Sequence, residues 1–85
     1  MAPLRFTAHA ELRIRQRGLA RAWVERGAGS PEWTEPDPRP GVVRGYGRVA
    51  EAGGRVLRVA YIDRDGVRHV LSASFDRRQT RRTRR

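Results

Sequence analysis

Residues 42–75 read VVRGYGRVAEAGGRVLRVAYIDRDGVRHVLSASF. Apolar and polar residues alternate here with a period of two, the pattern of half-buried strands. Three strands are expected: VVRGYGRVAE, RVLRVAYID and VRHVLSASF. Ala52-Gly53-Gly54 joins the first pair and Asp65-Gly66 the second, and both are hairpin signals. Successive strands joined by tight turns predict a three-stranded antiparallel meander. Alternation assigns its faces. Leu57, Val59 and Tyr61 point one way, with Leu71, Ala73, Phe75, Val43 and Val49 beside them, and form the core. The other face carries Arg44, Tyr46, Arg48, Arg58, Arg68, Ser72 and Ser74. Arginine, tyrosine and serine on an open face suit a sugar-phosphate backbone, although any open sheet face needs polar residues. A one-residue error in register would invert the assignment.

Upstream the period changes. Thr7 is an N-cap candidate with Phe6 before it, and AHAELRIRQR then forms a helix that stops at Gly18. LARAWVER forms a second helix that stops at Gly27, with Leu19, Ala20, Ala22 and Trp23 on its apolar arc and Arg21 and Glu25 opposite. Residues 28–41 (AGSPEWTEPDPRPG) contain four prolines and read as a loop, whose Trp33 either caps the core or stacks on a ligand. Helices first and strands after predict an α+β fold, with two N-terminal helices on one face of the sheet and the other face wet. Residues 1–75 form a single domain on this reading. Residues 76–85 (DRRQTRRTRR) are an Arg-rich tail, expected to be disordered without a partner.

Composition narrows the function. The chain has 85 residues, no cysteine and two histidines, which excludes disulfides, thiolate chemistry and Cys-based zinc sites. Neither a metal nor an organic cofactor is called for. No apolar run approaches the ~20 residues of a membrane span, and MAPLRFTAHAE lacks the apolar core of a signal peptide. A cytoplasmic protein without membrane contact is expected. All 19 basic residues are arginine, against nine acids, for a net charge of +10. The tail contributes six arginines and one aspartate, or +5; residues 1–75 contribute thirteen and eight, also +5. Such a chain is attracted to polyanions, nucleic acid or an acidic protein. Arginine grips phosphate bidentately and stacks on bases.

His9, Arg13 and Arg17 lie at i, i+4 and i+8 and border the apolar arc of the first helix, while Glu11 and Arg15 form its solvent side as an i, i+4 pair. Basic groups beside an apolar arc need partners. One reading has each of them salt-bridge an acid and pin the helix. The other is a cationic cluster beside a histidine, suited to acid–base chemistry on a phosphodiester.

The string Phe6-x2-His9-Ala10-x2-Arg13-x3-Arg17-Gly18, followed by Gly54-Arg55-x-Leu57-x-Val59-x-Tyr61, resembles the small bacterial domain-of-unknown-function family 4258 across about residues 6–75. The sheet half, with Ser72-Ala73-Ser74 leading into an Arg-rich stretch, is similar to the BrnT-type toxins of the RelE-like group. The resemblance implies an α+β fold with an antiparallel sheet, a toxin–antitoxin context with an acidic antitoxin as partner, and metal-independent endoribonuclease activity. The chain departs from the RelE-like pattern in ending TRRTRR, without a terminal tyrosine or lysine.

RNA is cleaved without metal when its own 2′-OH attacks the adjacent phosphate. A group must take that proton, another must protonate the leaving oxygen, and the phosphorane charge must be stabilised. His9 is the candidate acid–base residue, and Arg13 and Arg17 the phosphate clamps. His69 is a weaker candidate, placed by alternation on the Leu71 side. The candidate RNA surface comprises Arg44, Tyr46, Arg48, Arg58, Arg68 and Ser72 with Arg77 and Arg78. The competing class is a non-catalytic RNA- or protein-binding module, which needs the same arginines.

Overall fold

The computed structural model describes residues 3–83. Along them run β1 (Leu4–Phe6), α1 (Ala8–Gln16), α2 (Arg21–Gly29), β2 (Trp33–Pro36), β3 (Val42–Val49), β4 (Arg55–Arg64), β5 (Val67–Phe75) and α3 (Arg77–Thr83), with a 3-10 turn at Ala50–Ala52. The architecture is α+β, but the sheet has five strands among the described residues, in the order β1-β5-β4-β3-β2. This overturns the three-stranded antiparallel sheet under two N-terminal helices. β3, β4 and β5 form an antiparallel meander, β2 extends it beyond β3, and β1 pairs parallel to β5.

Both added strands have physical reasons to be hidden in the sequence. β1 is three residues long, too short to display a period, and its partner lies more than sixty residues away. Its pairing is continued at each end by Arg68 N–H donating to the Pro3 carbonyl and Thr7 N–H to that of Val70. Thr7 then accepts from Ala10 N–H at 3.1 Å and starts α1. β2 lies among the prolines and ends on Pro36. An edge strand tolerates proline because one side of its ladder is unpaired.

At the Asp65–Gly66 turn both central residues have positive φ, 54° and 75°. That is the two-residue turn whose twist matches the flanking strands. Further along the hairpin the register slips. Ala60 pairs with Ser72 but Tyr61 with Val70, so Leu71 is an extra residue in a β-bulge. The bulge reverses the alternation on the turn side of β5. Val70, not Leu71, is therefore core, and Arg68 lies on the helix-covered face instead of the opposite one. His69 correspondingly points away from the helices.

The main core lies between α1, α2 and the sheet: Ala10, Ile14, Leu19, Val24 and Ala28 pack on Val49, Leu57, Val59, Tyr61, Val70 and Ala73. Each large buried side chain of this kind contributes about 1.5–3 kcal/mol. α2 does not stop at Gly27 but runs to Gly29 and buries Val24, Gly27 and Ala28. Gly27 allows this approach, since a Cβ there would sit 2.6 Å from Val59 Cγ2. Gly45 completes it: a side chain on Gly45 would overlap the Gly27 carbonyl oxygen.

The second face of the sheet is not left wet. Tyr46 and Val56 on that face are buried, and Trp33 stacks on Tyr46 at 5.3 Å with an interplanar angle of 7°. The expected disordered tail is α3, which packs beside this surface. Asp76 caps it, accepting from Gln79 N–H at 2.9 Å, and Thr80 Oγ1 accepts from Val56 N–H at 2.8 Å. Asp76-x-x-Gln79 has the spacing of a capping box, a sequence signal that the arginine run obscures. Residues 84 and 85 lie outside the described residues.

Candidate nucleic-acid interface

The arginines divide according to whether a carboxylate reaches them. Arg21, Arg26, Arg39, Arg44, Arg48, Arg58 and Arg68 each lie within ion-pair distance of an acid. Four of the six arginines expected to hold RNA belong to this group. Arg44 donates to Asp37 at 2.8 Å, Arg48 faces Glu32 at 3.7 Å, and Arg58 faces Asp76 at 3.4 Å. Arg68 forks onto Asp63 at 2.7 and 2.9 Å, donates to the Ala28 carbonyl, and lies over the Tyr61 ring. Tyr46 is buried under Trp33, and Ser72 is half-buried on β5 beside Ala60. These residues do not form one open cationic face. Arg77 and Arg78 are exposed on the first turn of α3.

His9 is exposed on the first turn of α1 and makes no side-chain hydrogen bond or ion pair to a described residue. Arg13 is half-buried and donates to Gln16 at 3.0 Å. Glu11 pairs with Arg21 at 2.5 Å and not with Arg15. Arg17 follows α1 and donates to the Ala73 carbonyl at 2.6 Å, on the part of β5 that β1 leaves unpaired. Among the described residues no group of three or more His, Cys, Asp or Glu could hold a metal ion, and no helix is long and apolar enough to cross a membrane.

Arg17, expected as a phosphate clamp, stands apart from the acid-paired arginines. It lines a cavity of about 340 Å³ with Leu19, Arg55, Ser74 and Phe75. Arg55 and Phe75 also line a second cavity of about 270 Å³ with Arg77, Thr80 and Arg81. The two form one groove across the end of β4 and β5, walled by four arginines and by no carboxylate among the described residues. Two of the guanidinium groups are held in place. Arg17 is tied to the Ala73 carbonyl, and Arg55 lies 3.8 Å from the centre of the Phe75 ring. Trp23 supports Phe75 at 6.2 Å. A guanidinium stacked on a ring keeps its in-plane N–H donors free for an anion. Arg77 and Arg81 stand one helical turn apart on α3, with Cβ atoms about 5–6 Å from each other. Arg55 and Arg81 were not among the expected site residues. Arg55 sits on the apolar side of the hairpin by alternation, and Arg81 belongs to a helix read as coil.

Comparison with family models, curated proteins and solved structures gives no match to this chain.

The paired acids hold the rest of the framework. Asp37, whose side chain is 5% exposed, accepts from Arg39 N–H and Nε at 2.9 Å and from Arg44 Nε at 2.8 Å. The Arg39 side chain, helped by its backbone N–H and by Arg44, holds this carboxyl far below the ordinary range against the opposing effect of burial. Arg68 depresses Asp63 in the same way. A carboxyl whose pKa is lower folded than unfolded stabilises the fold fully above the unfolded pKa, ~3.9, and loses that contribution as pH falls through the folded value. The melting temperature should therefore change little from these groups between pH 7 and 5 and fall on acidification below about pH 4. Asp37→Asn should lower the melting temperature at pH 7 by about 10 °C and flatten the acid limb. Thermal melts across pH on both proteins check this.

Proposed function

We propose that this protein binds RNA as a cytoplasmic polyanion-binding module, holding phosphates in the groove of Arg17, Arg55, Arg77 and Arg81. The observation that carries the reading is the convergence of four arginines around Phe75 without a carboxylate of the described residues among them. Like charges held together are costly when empty, and a bound anion relieves that cost. Two of the four are already oriented, which reduces the entropy lost on binding. An acidic antitoxin, the partner that the resemblance to BrnT-type toxins implies, would meet the same field.

Affinity for a single-stranded RNA should fall steeply with salt, because each neutralised phosphate releases counterions. Arg55→Ala and Arg81→Ala should each weaken binding across sequences and reduce the salt slope by about one. Arg64→Ala is the control. It removes an equal charge from an exposed arginine at the far end of β4, roughly 30 Å along the strand from Arg55. Fluorescence anisotropy at several salt concentrations measures all four proteins. Equal slopes for Arg64→Ala and Arg55→Ala would show that the net charge, and not the groove, holds the RNA.

A second reading, cleavage of RNA by its own 2′-OH, is favoured by His9, an exposed imidazole without a hydrogen-bond partner among the described residues, one turn from Arg13. In this reading His9 moves the proton and Arg13 and Arg17 stabilise the phosphate. Labelled RNA incubated with the protein in excess EDTA should then be cleaved, and His9→Ala should slow cleavage by ~10²–10⁴ while remaining folded and bound. Intact RNA in that assay would leave the binding module alone, and a folded His9→Ala protein cleaving at the parent rate would rule out His9 as the acid–base residue.

A further inference from the structure

Two glycines lie on the helix-facing side of β3, and packing requires only one. Gly45 is needed where α2 crosses, because a side chain there would overlap the Gly27 carbonyl oxygen and crowd the Tyr61 ring at 3.1 Å. At Gly47 a Cβ would meet only the Glu32 carboxylate, at an ordinary 3.5 Å. Its φ is not in the left-handed region either. A glycine inside a strand weakens that strand, and one unexplained by turn or packing marks a place where something else approaches the backbone. Above Gly47 is a cavity of about 130 Å³, walled by Trp23, Val49 and Leu57 and rimmed by Arg26, Ser30, Glu32 and Arg48.

The rim differs from the groove in charge. Arg26 faces Glu51 at 3.3 Å, and Arg48 faces Glu32. Donors and acceptors are both present, yet their charges cancel in pairs, so the cavity offers little to a phosphate. It fits a neutral, flat group with an apolar face and polar edges. Trp23 also connects the two sites, since it lines this cavity while its ring packs on Phe75, which lines the groove.

We propose that the cavity above Gly47 takes one unstacked nucleobase of a single strand whose phosphates lie in the arginine groove. This rests on the RNA-binding reading and adds to it a site that reads a base. Single-stranded RNA is recognised through splayed bases that stack on aromatic and apolar surfaces and bond at their edges. Ser30, Glu32 and Arg48 supply the edge contacts here, and Trp23 and Leu57 the apolar walls.

The test compares a short single-stranded RNA with an abasic strand of equal length and charge, by anisotropy, on the wild-type protein and on Gly47→Val. Wild type should prefer the intact strand by about tenfold or more. Gly47→Val, which fills the cavity, should bind both strands with the affinity wild type has for the abasic one. Gly47→Ala, whose Cβ meets only ordinary contact, gives a milder loss and covers the case in which valine unfolds the protein; thermal melts report folding. Equal wild-type affinity for both strands overturns the base pocket and leaves the groove standing. A preference undiminished from wild type in folded Gly47→Val or Gly47→Ala also overturns it, because the base is then read elsewhere. If wild type binds neither strand, the RNA reading fails and the pocket with it.

Discussion

Nineteen arginines share nine carboxylates in this chain, and the placement of those nine decides which arginines have an acid beside them. Asp37, Asp63 and Asp76 are spent on arginines of the sheet, where an unpaired charge close to the core would be costly. Glu11 and Glu25 meet Arg21 on the helices, and Glu51 and Glu32 balance Arg26 and Arg48. Among the described residues, what remains uncompensated includes the groove around Phe75. The groove arginines are among those that no carboxylate of the described residues reaches, and two cavities open beside them.

The groove depends on α3. Without that helix Arg77 and Arg81 would be a loose charge cloud, and the neighbouring end of β4 would lose the contact of Thr80 with Val56. Asp76 does two jobs here. It caps α3 through Gln79 N–H and faces Arg58 on the sheet. Thr80 satisfies the Val56 N–H, a buried donor that would otherwise cost about 1–3 kcal/mol. A strongly basic helix of seven residues would be marginal alone. It is ordered here through contacts that begin at the last residue of β5.

The sheet from β3 to β5 is legible in the sequence because its strands are long, alternate cleanly and are joined by glycine turns. β1 is not, since a three-residue parallel strand carries no period and is defined by its distant partner. β2 is disguised by the prolines around Trp33. The bulge at Leu71 is the costliest omission for function. It exchanges Val70 for Leu71 in the core and moves Arg68 to the helix-covered face, where it serves packing. Similarly, alternation alone places Arg55 on the apolar side and gives no hint that its guanidinium lies flat on Phe75 at the edge of a groove. Arg17 was visible from its helical spacing, but its partner, a backbone carbonyl on β5, was not. Charge and local period are local properties; the pairing of an arginine with an acid sixteen to twenty-five residues away is not.

The central claim is that acid pairing separates structural arginines from binding ones. Side-chain NMR of the arginine Nε–H groups during titration with a short single-stranded RNA tests it most directly, residue by residue. The account predicts saturable shifts at Arg17, Arg55, Arg77 and Arg81, with Arg44, Arg58 and Arg68 unmoved. Shifts concentrated on Arg44, Arg58 and Arg68, with the groove arginines silent, would contradict it.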